Sequence, residues 1–273
     1  MKIDVGIFLG LLVGLGGIIA GLVLEGGNVV EILQPTAALI VLGGTLGATL
    51  ISQPLPTVWG ASKQFISIFG ESHHNLDEVI DQVVDLAQEA RRNGIISLEK
   101  KLSGIPDRFM RKAVTLAVDG TESKDLREIM EVEIHQESAR REAEAKVLEA
   151  AGGYAPTIGI IGAVLGLIQV MKHLENIEEV GHGIAVAFVA TIYGVGIANI
   201  LLLPAAKRMV SRIERTVVRK ELMLEGVICL TEGLNPRLIR FKLGGYLDSD
   251  KQTDEELGGS PGRAPEVQHA AQK

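Results

Sequence analysis

Thr157, directly after Pro156, and Thr191 are polar residues set inside apolar stretches that hold no Asp, Glu, Lys or Arg. A proline within a helix frees a backbone carbonyl, and a threonine hydroxyl can both donate and accept. In hydrocarbon such groups must find a partner in protein or in a wet cavity. Together they can hydrate or relay a small cation. Hydroxyls do not hold a proton at neutral pH, so the titrating group of any such path has to come from another chain. The bland alternative is that each hydroxyl bonds back to its own helix and does nothing more.

A second group is Ala90–Arg91–Arg92–Asn93–Gly94, followed by Ser97–Leu98–Glu99. It sets charges of both signs at a helix end and in the next turn. Exposed charges contribute little energy on their own, but they steer and register encounters with a charged partner. Beyond these two groups no catalytic constellation stands out: there is no P-loop, dinucleotide-binding fingerprint or His-Glu-x-x-His. Of the six histidines, the His73–His74 pair and His182 lack a third ligand at metal spacing. Cys229, the one cysteine, excludes an internal disulfide and is expected as a small core residue. The expectation is a non-enzyme without metal or cofactor.

Four carboxylate-free stretches must position these residues: Val5 to Leu24, Ile32 to Ser62, Ala150 to Met171 and Val180 to Ala206. Each is long enough to cross a bilayer as a helix, which takes roughly 20 apolar residues. The first is read as a retained span and not a cleaved signal peptide, because its apolar run is long and no clean cleavage site follows. Charge gathers instead in 71–149 and 205–256. A net charge of −7 argues against nucleic-acid binding.

Lys207, Arg208, Arg212, Arg215, Arg219 and Lys220 follow the fourth span, whereas the short inter-span loops carry Glu25, Glu31, Glu175, Glu178 and Glu179. The basic side is cytoplasmic. Both termini and the long middle segment are therefore expected inside. The fold class is all-α, a four-span integral membrane protein. A helical cytoplasmic domain separates spans 2 and 3, and long helices extend spans 3 and 4 into the cytoplasm. The expected divisions are 1–52 (spans 1 and 2), 53–150 (cytoplasmic helices), 151–206 (spans 3 and 4), 207–247 (C-terminal helices) and 248–273 (a disordered tail).

Within this layout, Gly10 and Gly14, Gly17 and Gly21, Gly43 and Gly47, and Gly44 and Ala48 predict close helix packing in the first two spans. Pro54 and Pro56 end the second, with Trp59 at the interface. Asn75 is expected to cap a helix whose apolar stripe is Val79, Ile80, Val83, Val84, Leu86 and Ala87. A shorter piece begins at Ser97. Pro106 suits the first turn of a helix running to Asp119–Gly120. A charged helix from Ser123 should feed the third span, interrupted only by Gly152–Gly153, and the fourth should run on past Pro204 to Gly233.

Ala155–Pro156–Thr157 with Gly159–Ile160–Ile161–Gly162, Ala190–Thr191–Ile192–Tyr193–Gly194–Val195 running to Asn199 and Pro204, and the Ala90–Glu99 group together resemble the A subunit of bacterial flagellar motor stators. That group (MotA, PomA) sits in a superfamily with TolQ and ExbB. The resemblance implies an inner-membrane homo-oligomer, a pentamer in the family, surrounding the spans of a MotB-like B subunit. The B subunit supplies the ion-binding aspartate, and a FliG-like rotor switch protein receives the torque. It assigns Thr191 to the ion path with Ala163, Ala190, Pro156 and Thr157. Pro156 and Pro204 serve conformational coupling, and Arg91 and Glu99 rotor contact, with Arg92 able to share that role. Sodium-driven relatives carry threonine where this chain has Ala163 and Ala190. A sodium ion needs several hard oxygen ligands, so two missing hydroxyls favour protons over sodium. A TolQ- or ExbB-like subunit energising an envelope process is the alternative, as is a scaffold whose spans only anchor the charged domain. The TolQ and ExbB relatives have three spans.

Overall fold

The computed structural model describes residues 4–70 and 75–258, with side chains to residue 247. In chain order its elements are α1 (Val5–Leu24), α2 (Val29–Ile32), α3 (Pro35–Ser52), α4 (Leu55–Ser67), α5 (Leu76–Asn93), a 3-10 helix (Ile95–Gly104), α6 (Arg108–Val118) and α7 (Ser123–Lys172). They continue with α8 (Ile177–Gly196), a π-helical turn (Ile197–Leu202), α9 (Leu203–Thr231) and α10 (Pro236–Gly258). Every element is a helix. Four stretches, α1, α3, one within α7 and one within Ile177–Thr231, are long and apolar enough to span a membrane. The His73–His74 pair lies outside the described residues.

The chain divides into two compact units, Met1–His74 with Val132–Val217 and Asn75–Glu131 with Val218–Lys273. The first therefore takes in more than the spans. Ala145, Val147 and Leu148 of α7 and Met209 and Ile213 of α9 bury against Ala61 of α4 and Ile68.

In the second unit the α5 stripe is buried as its periodicity requires, from Leu76 through Val79, Ile80, Val83, Val84, Leu86 and Ala87. Asn75 precedes that helix, but its side chain donates to the Glu78 carboxylate at 2.9 Å and not to the helix backbone. Gly94, at φ 84°, ends it, a left-handed position that suits glycine. Asp107 caps α6 by accepting from the Phe109 and Met110 amides at 2.9 and 3.1 Å. Pro106 consequently stands before the cap and not in the first turn.

Further expectations change or are refined. Gly152–Gly153 do not interrupt α7, which runs unbroken over 50 residues. A Cβ on Gly152 would lie 2.7 Å from Leu203 Cδ2, so close packing repays the glycine's poor helix propensity. The fourth span runs on past Pro204 as expected, to Thr231, but it does so through a π-helical turn at Ile197–Leu202 just before the proline. Pro204 has no N–H to give Ile200, and a widened turn is a common answer. Residues 248–258, expected to be disordered, continue α10 to Gly258, and 259–273 lie outside the described residues. In the first two spans, Gly10, Gly17, Gly21, Gly43 and Gly47 meet nothing within 4 Å. Gly44, by contrast, packs closely against α7, since a Cβ there would lie 2.6 Å from Ile158 Cγ2.

Candidate ion path and charged edge

The longest close approach of helices lies between α7 and α8. Ala155, Gly159, Gly162 and Gly166 run down one helix, and Gly183, Ala187, Ala190 and Gly194 run down the other at the same spacing. A Cβ on Gly159 would stand 2.9 Å from the Ala190 carbonyl, and one on Gly166 would stand 2.8 Å from both the Ala187 nitrogen and the Gly183 oxygen. Small residues let the two backbones approach where no hydrophobic force drives helices together.

Thr191 sits beside this seam, half-buried, and its hydroxyl donates to the Ala187 carbonyl at 3.3 Å. Thr157 is exposed and donates to Tyr154 O at 2.8 Å. Each hydroxyl thus spends its proton within its own helix and keeps lone pairs to offer. The pair presents acceptors, which suit a cation or a proton-donating water. Ala163 is half-buried, whereas Ala190 is fully buried among Ala37, Val41, Val186 and Val189. A hydroxyl at 190 would enter apolar packing. The Gly152–Leu203 approach brings the turn before Pro156 against the residue before Pro204. By the helical rule, the carbonyl that Pro156 leaves without a donor is that of Gly152. The two prolines therefore disturb neighbouring backbone.

Two threonines escaped the sequence reading. Thr45 and Thr49 face the interior of the first unit, 8% and 4% exposed. Thr49 donates to Thr45 O at 2.7 Å. Their spacing of four in an apolar helix was the available signal. Asp4, Arg208 and Arg212 were also missed. Asp4 caps α1 through the Gly6 amide and pairs with Arg208, and Arg212 approaches it at 3.5 Å. Burial pushes the Asp4 carboxyl up, but the Arg208 charge and hydrogen bond outweigh that and hold it below its ordinary range. Arg212 also donates to Ser67 O, Ile68 O and Gly70 O at 2.9, 2.8 and 2.6 Å. One guanidinium therefore closes the C-terminal end of α4 and reaches the first residue of the α1 cap.

In the second unit Arg91, Arg92 and Glu99 are all exposed. Among the described residues none of the three forms an ion pair. Fully buried Leu98 pins the 3-10 helix that carries Glu99. Glu89 accepts from Asn93 at 2.5 Å and from Lys101 at 3.0 Å. Those two hydrogen bonds, Asn93's first, lower its carboxyl below the ordinary value. The helix end and the following turn are thus tied together while the outer charges stay available to a partner.

Residues 101–222 match the MotA/TolQ/ExbB proton channel family, and residues 8–94 match a family described as Motility protein A N-terminal. Motility protein A of Bacillus subtilis (strain 168) is 34% identical over 240 residues, covering 88% of this chain and 89% of its own. The structure of C. jejuni MotAB superposes with a TM-score of 0.85 at 31% identity, covering 92% of this chain and 98% of that one. The flagellar MotAB stator complex from Bacillus subtilis gives 0.83 at 33%, with 90% and 96% coverage. On this evidence the chain belongs to the MotA/TolQ/ExbB proton channel family, as a relative of the motility proteins A.

Proposed function

We propose that this chain is the A subunit of a bacterial flagellar motor stator, a channel wall and force arm and not an enzyme. The observation that carries the reading is the pairing of four carboxylate-free spans with a tightly packed α7–α8 seam that presents acceptor hydroxyls. Such a wall needs a titrating group from another chain, and intramembrane acids are where ion paths locate their charge. A MotB-like B subunit supplies it as an aspartate. The apolar faces of α7 and α8 left exposed here, with Ile160, Val164, Leu167, Phe188 and Ile192, suit burial by its spans and by further copies of this chain, a pentamer. The N-terminal match over residues 8–94 favours this over a TolQ- or ExbB-like subunit.

The protein lies in the inner membrane with both termini inside. Protons pass Thr191, Ala163, Pro156, Thr157 and Ala190, and strain at Pro156 and Pro204 converts their passage into motion. Arg91, Arg92 and Glu99 then engage a FliG-like rotor protein. Buried Ala190 gives sodium no extra ligand, which supports protons as the coupling ion.

The test is restoration of swimming in a strain lacking its own A subunit, with the cognate B subunit supplied. Swimming should survive removal of sodium and stop on addition of a protonophore. Thr191→Ala and Pro156→Leu should each cut speed severely at unchanged membrane levels. Motility that tracks sodium would overturn the proton assignment. Unimpaired variants would favour a scaffold.

A further inference from the structure

The first unit holds a cavity of about 660 Å³ between α4 and α7, lined by Trp59, Gly60, Lys63, Gln64, Arg140, Arg141 and Glu144 among others. Its charge is predominantly cationic. Arg141 pairs with Glu137 at 2.6 Å, and among the described residues neither Arg140 nor Lys63 meets a carboxylate. Lys63 stands 5.7 Å from the Trp59 ring centre. A Cβ on Gly60 would meet the Glu144 carboxylate, with its Cδ at 2.7 Å, so the floor of the cavity is the α4 backbone against one acidic side chain beneath three cationic ones.

The rim is apolar and bare. Leu55, Trp59 and Ile66 are 72%, 67% and 65% exposed and form one stripe along α4, while Ala61 on its other side is buried in the core. A short helix that follows a span directly, with tryptophan on its outer stripe and lysine beside it, has the make-up of an interfacial helix. From Ala150, where the uncharged part of α7 begins, Arg141 is nine residues away. That is about 14 Å along a helix, so its long side chain has to extend back toward the headgroups to meet a phosphate.

We infer that this cavity binds the headgroup of an anionic phospholipid. Lys63, Arg140 and Arg141 hold the phosphate, and the acyl chains run over Leu55 and Trp59. A guanidinium fork suits phosphate oxygens, and basic residues next to a span attract acidic lipid. The lipid would hold α4 against α7 from the side that Arg212 does not reach. The inference rests on the membrane-spanning reading alone and not on the ion or the rotor.

Trp59 is the chain's only tryptophan, which makes it a reporter for this one place. The full chain, purified with its B subunit, would be reconstituted in phosphatidylcholine vesicles. These would contain brominated phosphatidylglycerol or an equal fraction of brominated phosphatidylcholine, with the Trp59→Phe complex as blank. Brominated phosphatidylglycerol should quench Trp59 at least about threefold more effectively, and high salt should weaken the preference. Combined Lys63→Gln, Arg140→Gln and Arg141→Gln should erase the preference and leave quenching by both lipids, whereas Arg141→Lys should retain it. Equal quenching in the unaltered complex, a preference that survives the triple change, or its loss in Arg141→Lys would overturn the inference. So would absence of quenching by either lipid, which would place a protein surface over the groove. Flotation with the vesicles separates these outcomes from failure of the membrane reading itself.

Discussion

Glu225 shows how single residues tie the charged unit together. Its carboxylate accepts from Arg127 at 2.7 Å and from Lys242, and its side chain is 13% exposed. Burial pushes its carboxyl up, and the hydrogen bonds from Lys242 and Arg127 more than reverse that, leaving it below the ordinary glutamate range. A depressed folded value means stability that is present at neutral pH and is lost as pH falls through that value. Glu225→Gln should therefore cost about 1–2 kcal/mol at pH 7. The difference in melting temperature from the unaltered chain should fade below about pH 4. A difference unchanged from pH 7 down to pH 3 would remove the charge from the explanation. The exposed trio Arg91, Arg92 and Glu99 was legible as residues, because charge at a helix end declares itself. Asp4 with Arg208 and Arg212 was not, since their meeting depends on how α1, α4 and α9 pack.

At the level of elements, spans were easy to read because long charge-free runs have few alternatives. Seams were not. Glycine at spacing four occurs in the first three spans, yet only tertiary packing decides which of them bears a close neighbour. Gly166 has backbone atoms 2.8 Å from its missing Cβ, and Gly43 has open space. Gly166→Val should abolish swimming and sharply lower the amount of folded chain in the membrane, whereas Gly43→Val should leave that amount unchanged. Equal loss would show that the early glycines pack against another subunit. The break after α8 was equally hidden. Pro204 announces a disturbance, but whether the helix kinks, stops or widens depends on what surrounds it. Gly152–Gly153 misled in the opposite sense, because helix propensity counts less than the approach to Leu203.

For the whole molecule, the proposed sides of the membrane rest on the distribution of lysine and arginine, and the chain supplies its own control for mapping them. Cys229 is buried, and burial foremost raises its thiol above the ordinary value, so it should not react with an impermeant maleimide. In intact cells Glu31→Cys should label at once, and Ser97→Cys only after permeabilisation. The reverse pattern would invert the topology. The two matched families and the two compact units divide the chain differently. The family matches part between residues 94 and 101, whereas α7 and α9 each contribute to both units.

The π-helical turn at Ile197–Leu202 also has a meaning for inheritance. A widened turn of this kind amounts to one residue more than an α-helix needs between the same two flanks. Loss of a single codon there would let the segment close to ordinary α geometry while α8 and α9 kept their faces. Loss of one elsewhere in either helix would turn everything downstream by about 100°. A length change that spanning helices ordinarily reject thus has one place in this chain where it would alter local compliance without scrambling the packing, a short route by which such a subunit can be retuned.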